Sequence, residues 1–161
     1  MLNKVILILA FFLYSFRCTA PVFESFTIIE SDPVHIYNIT DPVLSAFCLY
    51  ESDFNSEAVN PVSGAGGILQ FMKSMIDEVN KICRYQHSLS SGEIPLVQYK
   101  LSDRFNPEKS IEMWYIVQNF KNPDYDLAKA CQIWFGIGVQ YDGKTWREYY
   151  NDIDLIINRV I

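Results

Sequence analysis

At Asp41-Pro42, Asn106-Pro107 and Asn122-Pro123 an Asx residue stands directly before a proline and just ahead of an apolar stripe. An Asx side chain can accept from the free amides of a first helical turn, and proline at the first helical position lacks an N–H that would go unpaired there anyway. Such starts commit the chain to helices. After Asp41, the residues Leu44, Phe47, Cys48 and Glu51 recur at i, i+3, i+4 and i+7. Asn106-Pro107 precedes a stripe of Ile111, Trp114, Tyr115 and Gln118, and Asn122-Pro123 precedes Leu127, Ala130, Cys131, Trp134 and Phe135. Ser74 precedes a face of Met75, Val79, Ile82 and Cys83. The segment "TWRE" pairs Thr145 with Glu148 as a capping box for a helix that carries Trp146, Tyr149, Tyr150, Ile153 and Ile157. No repeat or linker divides residues 32–161, so the pattern predicts one mainly α domain of about five or more helices. The stretch 86–104 reads as loop, with room for a short β element over residues 94–101.

Composition narrows the function. Half of the 161 residues are apolar, enough for a single core. A formal charge of −6 and the absence of a Lys/Arg cluster exclude a nucleic-acid partner, because phosphate neutralisation needs a basic face. Residues 1–20 carry one early lysine and an unbroken apolar run from Val5 to Tyr14, short for a bilayer span of roughly 20 residues and suited to a secretory signal peptide. Pro21 is awkward for cleavage after Ala20, and Arg17 is a poor neighbour for a lipoprotein cysteine at Cys18, so a cleaved leader, an uncleaved anchor and a lipid anchor all stay open. Membrane contact is expected only through this segment, with export to the periplasm or cell envelope. Removal of Cys18 would leave Cys48, Cys83 and Cys131, read either as one disulfide with a free thiol or as three buried thiols on helical stripes. His35 and His87 are isolated and there is no CxxC, so no metal site is expected.

The stretch "YESDFNSEAVNPVSGAGGILQF", residues 50–71, concentrates the candidate chemistry. Glu51 shares a helical face with apolar residues, and a carboxylate dried by such neighbours has a raised pKa, as a general acid near neutral pH requires. The bland alternative is a solvent-facing glutamate that ends a helix. Gly64, Gly66 and Gly67 allow positive φ and close approach to the main chain, and Gln70 offers amide donors and an acceptor to sugar substituents. Here the bland alternative is a plain connecting turn. A phosphate loop is excluded, since no Lys-Ser/Thr pair follows the glycines and no strand precedes them. Asp53 and Glu57, the nearest carboxylates, read as turn and solvent residues rather than as a second catalytic group.

In order and spacing, residues 51–72 resemble the opening motif of the soluble lytic transglycosylase (SLT) domain family of the lysozyme-like superfamily: Glu-Ser, an aromatic-Asn step, Ala-Val-Ser-Pro, Gly-Ala and Gly-Leu-Met-Gln. By that resemblance Glu51 falls on the catalytic acid, Ser52 on the serine beside it, and Gly67 to Gln70 on the segment lining the glycan groove. "FNPEKSIEMW" is similar to the family's Asp-Pro-x-x-Asn-Ile helix start, with Ser110 where Asn is usual. "LAKACQIWFGIG" occupies the place of Ala-Tyr-Asn-x-Gly, and "TWREYYNDI" that of the closing Thr-Arg-x-Tyr-Val helix, which puts Tyr149 on the tyrosine. Trp134 then stands at a tyrosine position and Phe135 at an asparagine, an aromatic wall in place of a polar contact, and Lys73 replaces a usual proline.

The resemblance implies a monomeric, cofactor-free enzyme on peptidoglycan strands. One glutamate would protonate the glycosidic oxygen between N-acetylmuramic acid (MurNAc) and N-acetylglucosamine (GlcNAc), then take a proton from the muramoyl 6-hydroxyl to give a 1,6-anhydro end. Ser52, Gly67, Gln70, Trp134 and Tyr149 are the expected substrate contacts, with Phe135 and Tyr150 beside them, although core packing is the competing role for the aromatic residues. A muramidase hydrolysing the same bond, a non-catalytic wall-binding module and an anchored scaffold are the rival readings.

Overall fold

The computed structural model describes residues 41–91, 93–136 and 143–160. The leader expected over 1–20, the domain start expected at 32, Cys18 and His35 lie outside these. Five α-helices follow in order among the described residues: α1 (Pro42–Ser52), α2 (Lys73–Leu89), α3 (Pro107–Lys121), α4 (Leu127–Phe135) and α5 (Trp146–Val160), with a 3-10 helix at Leu101–Phe105. The fold is the mainly α single domain that the stripes predict, consistent with the lysozyme-like fold that the family resemblance implies.

The caps explain the helix starts. Asp41 Oδ1 accepts from the amides of Val43 and Leu44 at 2.9 and 3.1 Å, and Asn106 Oδ1 accepts from that of Lys109 at 2.9 Å. Glu148 accepts from the Thr145 amide at 2.7 Å and its own amide donates back to Thr145 Oγ1 at 3.5 Å, the two halves of the expected box. Two starts differ from expectation. Helix α2 begins at Lys73 with Met72 as its uncapped N-cap, so Ser74 is inside the first turn. Asn122 closes α3 instead of opening α4: its amide joins the Gln118 side chain to the Asp126 carbonyl, and its Oδ1 accepts from the Asp126 amide. Pro123 therefore sits in a turn, and Asp126 caps α4 through Lys129 N.

Helix α1 packs on α5, α5 on α4, and α2 on α3. Phe47, fully buried on α1, is where they converge: its ring meets Trp114 of α3, Trp134 of α4 and Tyr149 of α5 edge-on at 5.7, 6.2 and 5.7 Å. Such edge contacts fix helix rotation as well as burying area, and they set the face of α1 on which Glu51 lies.

Residues 95–100 join neither a helix nor a strand. Asn80 of α2 takes the place of a strand partner, donating from Nδ2 to the Tyr99 carbonyl at 2.9 Å and accepting from the Tyr99 amide at 2.7 Å. Backbone bridges form in the glycine segment, Val59 with Gly66 and Gly66 with Phe71.

Candidate active site

Glu51 occupies the last turn of α1. The helix stops there because Asp53 and Phe54 take left-handed φ of 54° and 60°, with the Asp53 amide bonded to Leu49 O and the Phe54 amide to Cys48 O. Phe54 folds back onto the core. The residue as a whole is half-buried, but its carboxyl is enclosed, and that loss of hydration pushes its pKa up to about 7 against the opposing hydrogen bond from Tyr149. Tyr149 OH donates to Glu51 Oε1 at 2.5 Å. Tyr149 is 2% exposed, and its burial, together with the Glu51 carboxyl beside it, holds the phenol well above its ordinary pKa and keeps it a donor. The phenol thus engages Oε1 and leaves Oε2 as the carboxyl oxygen to which it does not donate.

The glycine segment is held against this helix end. Ser52 Oγ donates to Ile68 O at 2.8 Å, joining the residue after Glu51 to the middle of "GGILQ". Gln70, at φ 50°, turns its Nε2 inward to Gly67 O at 2.9 Å and Ala58 O at 3.2 Å, so its amide donors close the loop itself. Gly67 has φ 81°, and a Cβ there would meet the carbonyl oxygen of Arg104 at 1.8 Å. The close approach predicted at the glycines is therefore one of protein backbone, from the 3-10 helix, at Gly67. Arg104 also reaches over the loop, donating from Nη1 to Gly64 O at 2.8 Å and Phe71 O at 3.1 Å.

Of the expected substrate contacts, Gly67 and Gln70 lie in the loop that Ser52, the last residue of α1, ties to that helix end, and Tyr149 bonds Glu51 itself. Trp134, at 7% exposure, packs in the core, its ring edge-on to Phe71 at 4.9 Å and to Phe47. Phe135 is half-buried and lies tilted on Tyr149 at 5.3 Å. Asp53 and Glu57 are exposed on the turn. Cys48, Cys83 and Cys131 are free buried thiols. Among the described residues no group of three or more His, Cys, Asp or Glu side chains comes together that could hold a metal ion.

Sequence reading missed one cluster beside the acid. Tyr50 OH donates to Asp152 Oδ2 at 3.1 Å, and Lys144 Nζ reaches both that oxygen and the Tyr50 hydroxyl at 3.0 Å. The available signal was positional: Tyr50 adjoins Glu51, and Asp152 follows Tyr149 by one helical turn.

Among the described residues a glutamate enclosed at the end of α1 is bonded to a tyrosine of α5, in a mainly α domain consistent with the lysozyme-like class. The model of the transglycosylase SLT domain matches residues 32–131, more than half of the chain. The chain belongs to that family, the peptidoglycan lytic transglycosylases, whose domains act on the wall polymer in the cell envelope. The match ends within α4, ahead of Trp134 and Tyr149. No match was found among curated proteins or solved structures. No helix among the described residues is long and apolar enough to cross a membrane.

Proposed function

We propose that this chain cleaves the β-1,4 bond between MurNAc and GlcNAc in peptidoglycan, with Glu51 as acid and then base. The observation that carries the reading is the enclosed Glu51 carboxyl, pushed up to about 7 and bonded to Tyr149. A group that titrates near neutrality is present in both protonation states there, and a single carboxyl that must give and then accept a proton needs both. Oε2 passes its proton to the glycosidic oxygen as the bond from the muramoyl C1 breaks. The resulting carboxylate takes the proton of the 6-hydroxyl as O6 bonds to C1. Atoms balance with no water consumed, and the acid is regenerated.

Tyr149 supports both steps, since its O–H stabilises the carboxylate left after the first and its burial keeps it protonated. The loop from Gly67 to Gln70, anchored by Ser52, supplies a neutral wall to the groove, and Gln70 Oε1 accepts from sugar N–H or O–H groups. Residues 1–20 serve as the export leader or anchor, and residues 32–161 act as one monomeric unit.

The test is a digest of purified sacculi by the wild-type chain and by Glu51→Gln, with the muropeptides weighed by mass spectrometry. The expected result is anhydro ends lighter by one water, reduced about a thousandfold in the variant. Reducing ends alone would make the chain a muramidase. A second reading, a wall-binding module without turnover, is favoured by Phe135, an apolar ring against Tyr149 where the family resemblance calls for asparagine. Equal sacculus binding with no products from either form would establish it.

A further inference from the structure

The cluster of Tyr50, Lys144 and Asp152 has no part in the proton transfers, yet it spans the same two helices as the acid and its tyrosine. Two side-chain bridges run in parallel between α1 and α5. Glu51 meets Tyr149 in one, and the preceding residue, Tyr50, meets Asp152 in the other, three positions beyond Tyr149. The bridges also touch each other, because the Tyr50 ring stands edge-on to the Tyr149 ring with centroids 4.9 Å apart. Lys144, just ahead of α5, sits 5.5 Å from the Tyr50 centroid and pairs with Asp152 at 3.0 Å.

We propose that Tyr50 and Asp152 are positioning residues for the acid: their bond, neutralised by Lys144, sets the register of α5 against α1 and holds the Tyr149 hydroxyl on Glu51 Oε1. This rests on the function proposed above for its consequence but not for its measurement. Removing Tyr50 OH frees the Tyr50 ring to shift, and the Tyr149 ring, which has Tyr50 on one side and Phe135 on another, loses the contact that orients it. The geometry of a charge-stabilising hydrogen bond is steep in distance and angle, so a small displacement weakens it.

The groups that face the site decide the sign. Around Glu51 these are Tyr149 from α5 and Cys48 from its own helix, and the glycine loop contributes none that titrates. Around Tyr149 they are Glu51, Cys131 of α4 and Tyr50. Around Tyr50 they are Lys144 and Asp152. Asp53 and Glu57 are exposed on the turn after α1. Tyr50→Phe changes no charge, and Asp152→Ala removes a negative one, which by Coulomb's law alone lowers the Glu51 pKa. A loosened Tyr149 bond raises it instead, because that bond favours the carboxylate.

The experiment is a 13C NMR titration of the Glu51 side-chain carboxyl in the full chain, for wild type, Tyr50→Phe and Asp152→Ala, with thermal melts alongside. Expected is a midpoint raised by about half a pH unit or more in both variants while both stay folded. Lys144→Arg, which keeps the pairing charge, should titrate as wild type. An unchanged midpoint in Tyr50→Phe, or a lowered one in Asp152→Ala, overturns the inference. If Asp152→Ala does not fold, the charge-neutral Tyr50→Phe decides alone. Sacculus digestion by the same proteins separates the two ideas: absent turnover with shifted midpoints sinks the enzyme and keeps the positioning, whereas turnover with unshifted midpoints does the reverse.

Discussion

Tyr149 and Glu51 lie 98 positions apart in the chain, and a 2.5 Å hydrogen bond joins the phenol of one to the carboxyl of the other. Both are drawn from apolar stripes, and both helices pack through Phe47, whose ring touches Tyr149 and whose helix carries Glu51. The bond is thus a product of core packing. Two effects on the acid oppose each other: enclosure favours the neutral form, the phenol favours the anion, and enclosure prevails, with the balance near 7.

Tyr149→Phe removes the effect that favours the anion and leaves the ring contacts in place. The Glu51 midpoint should rise above about 7, and sacculus digestion at neutral pH should fall by about tenfold or more, because the anion formed in the first step loses its donor. The alkaline limb of the rate profile should move upward with the midpoint. Equal profiles for the two proteins would remove Tyr149 from the mechanism.

The helices and their buried faces were legible because a 3.6-residue period and local caps are properties of neighbouring residues. Asp41, Asn106 and Thr145 act where the sequence puts them. Asn122 does not, since an Asx-Pro pair suits a turn after a helix as well as a helix start, and only the distant packing of Gln118 and Asp126 decides. Residues 94–101 leave room for a short β element by sequence, but the polar partner of Tyr99 is a single asparagine of α2. In the site, Glu51 was visible from its stripe. What faces it was legible only through family likeness, and periodicity gives no means of telling that Trp134 fills the core while Arg104 presses against Gly67.

Gly67 and Gly64 should respond differently to alanine. At Gly67 the left-handed φ of 81° coincides with the Arg104 carbonyl 1.8 Å from the new Cβ, and a backbone atom cannot step aside without moving the 3-10 helix. At Gly64, φ is 70° and nothing lies within 4 Å. Urea denaturation should show a loss of about 3 kcal/mol or more for Gly67→Ala and about 1 kcal/mol for Gly64→Ala. Similar losses at the two positions would mean that the loop, not the carbonyl, yields.

Asp41 uses both carboxyl oxygens, Oδ1 for the first amides of α1 and Oδ2 for the Tyr115 hydroxyl at 2.9 Å. Asp41→Ala removes the cap and that bond together, a loss of about 2 kcal/mol in thermal or urea unfolding. Asp41→Asn keeps the capping oxygen and offers an amide to the phenol, so it should stay within about 0.5 kcal/mol of wild type. The difference between the two variants tells the cap and its geometry apart from the charge.

The raised pKa of Glu51 makes the fold itself sensitive to pH. In the unfolded chain the carboxyl titrates at its ordinary value of 4.5, and in the folded chain at about 7. Below the first value both states are protonated, and the contribution to stability is fully present. Between the two the unfolded chain gives up its proton while the folded one keeps it, so stability declines with rising pH and levels off above the folded value. The interval corresponds to about 3 kcal/mol lost from pH 4.5 to pH 8, set against any gain from surface carboxylates such as Asp103, whose pKa is lowered. Glu51→Gln has no proton to lose. Its stability should exceed that of wild type at pH 8 by about 3 kcal/mol and match it near pH 4.5, read from urea midpoints across the range. Parallel curves for the two proteins would place the Glu51 carboxyl in solvent and remove the basis for its acid role.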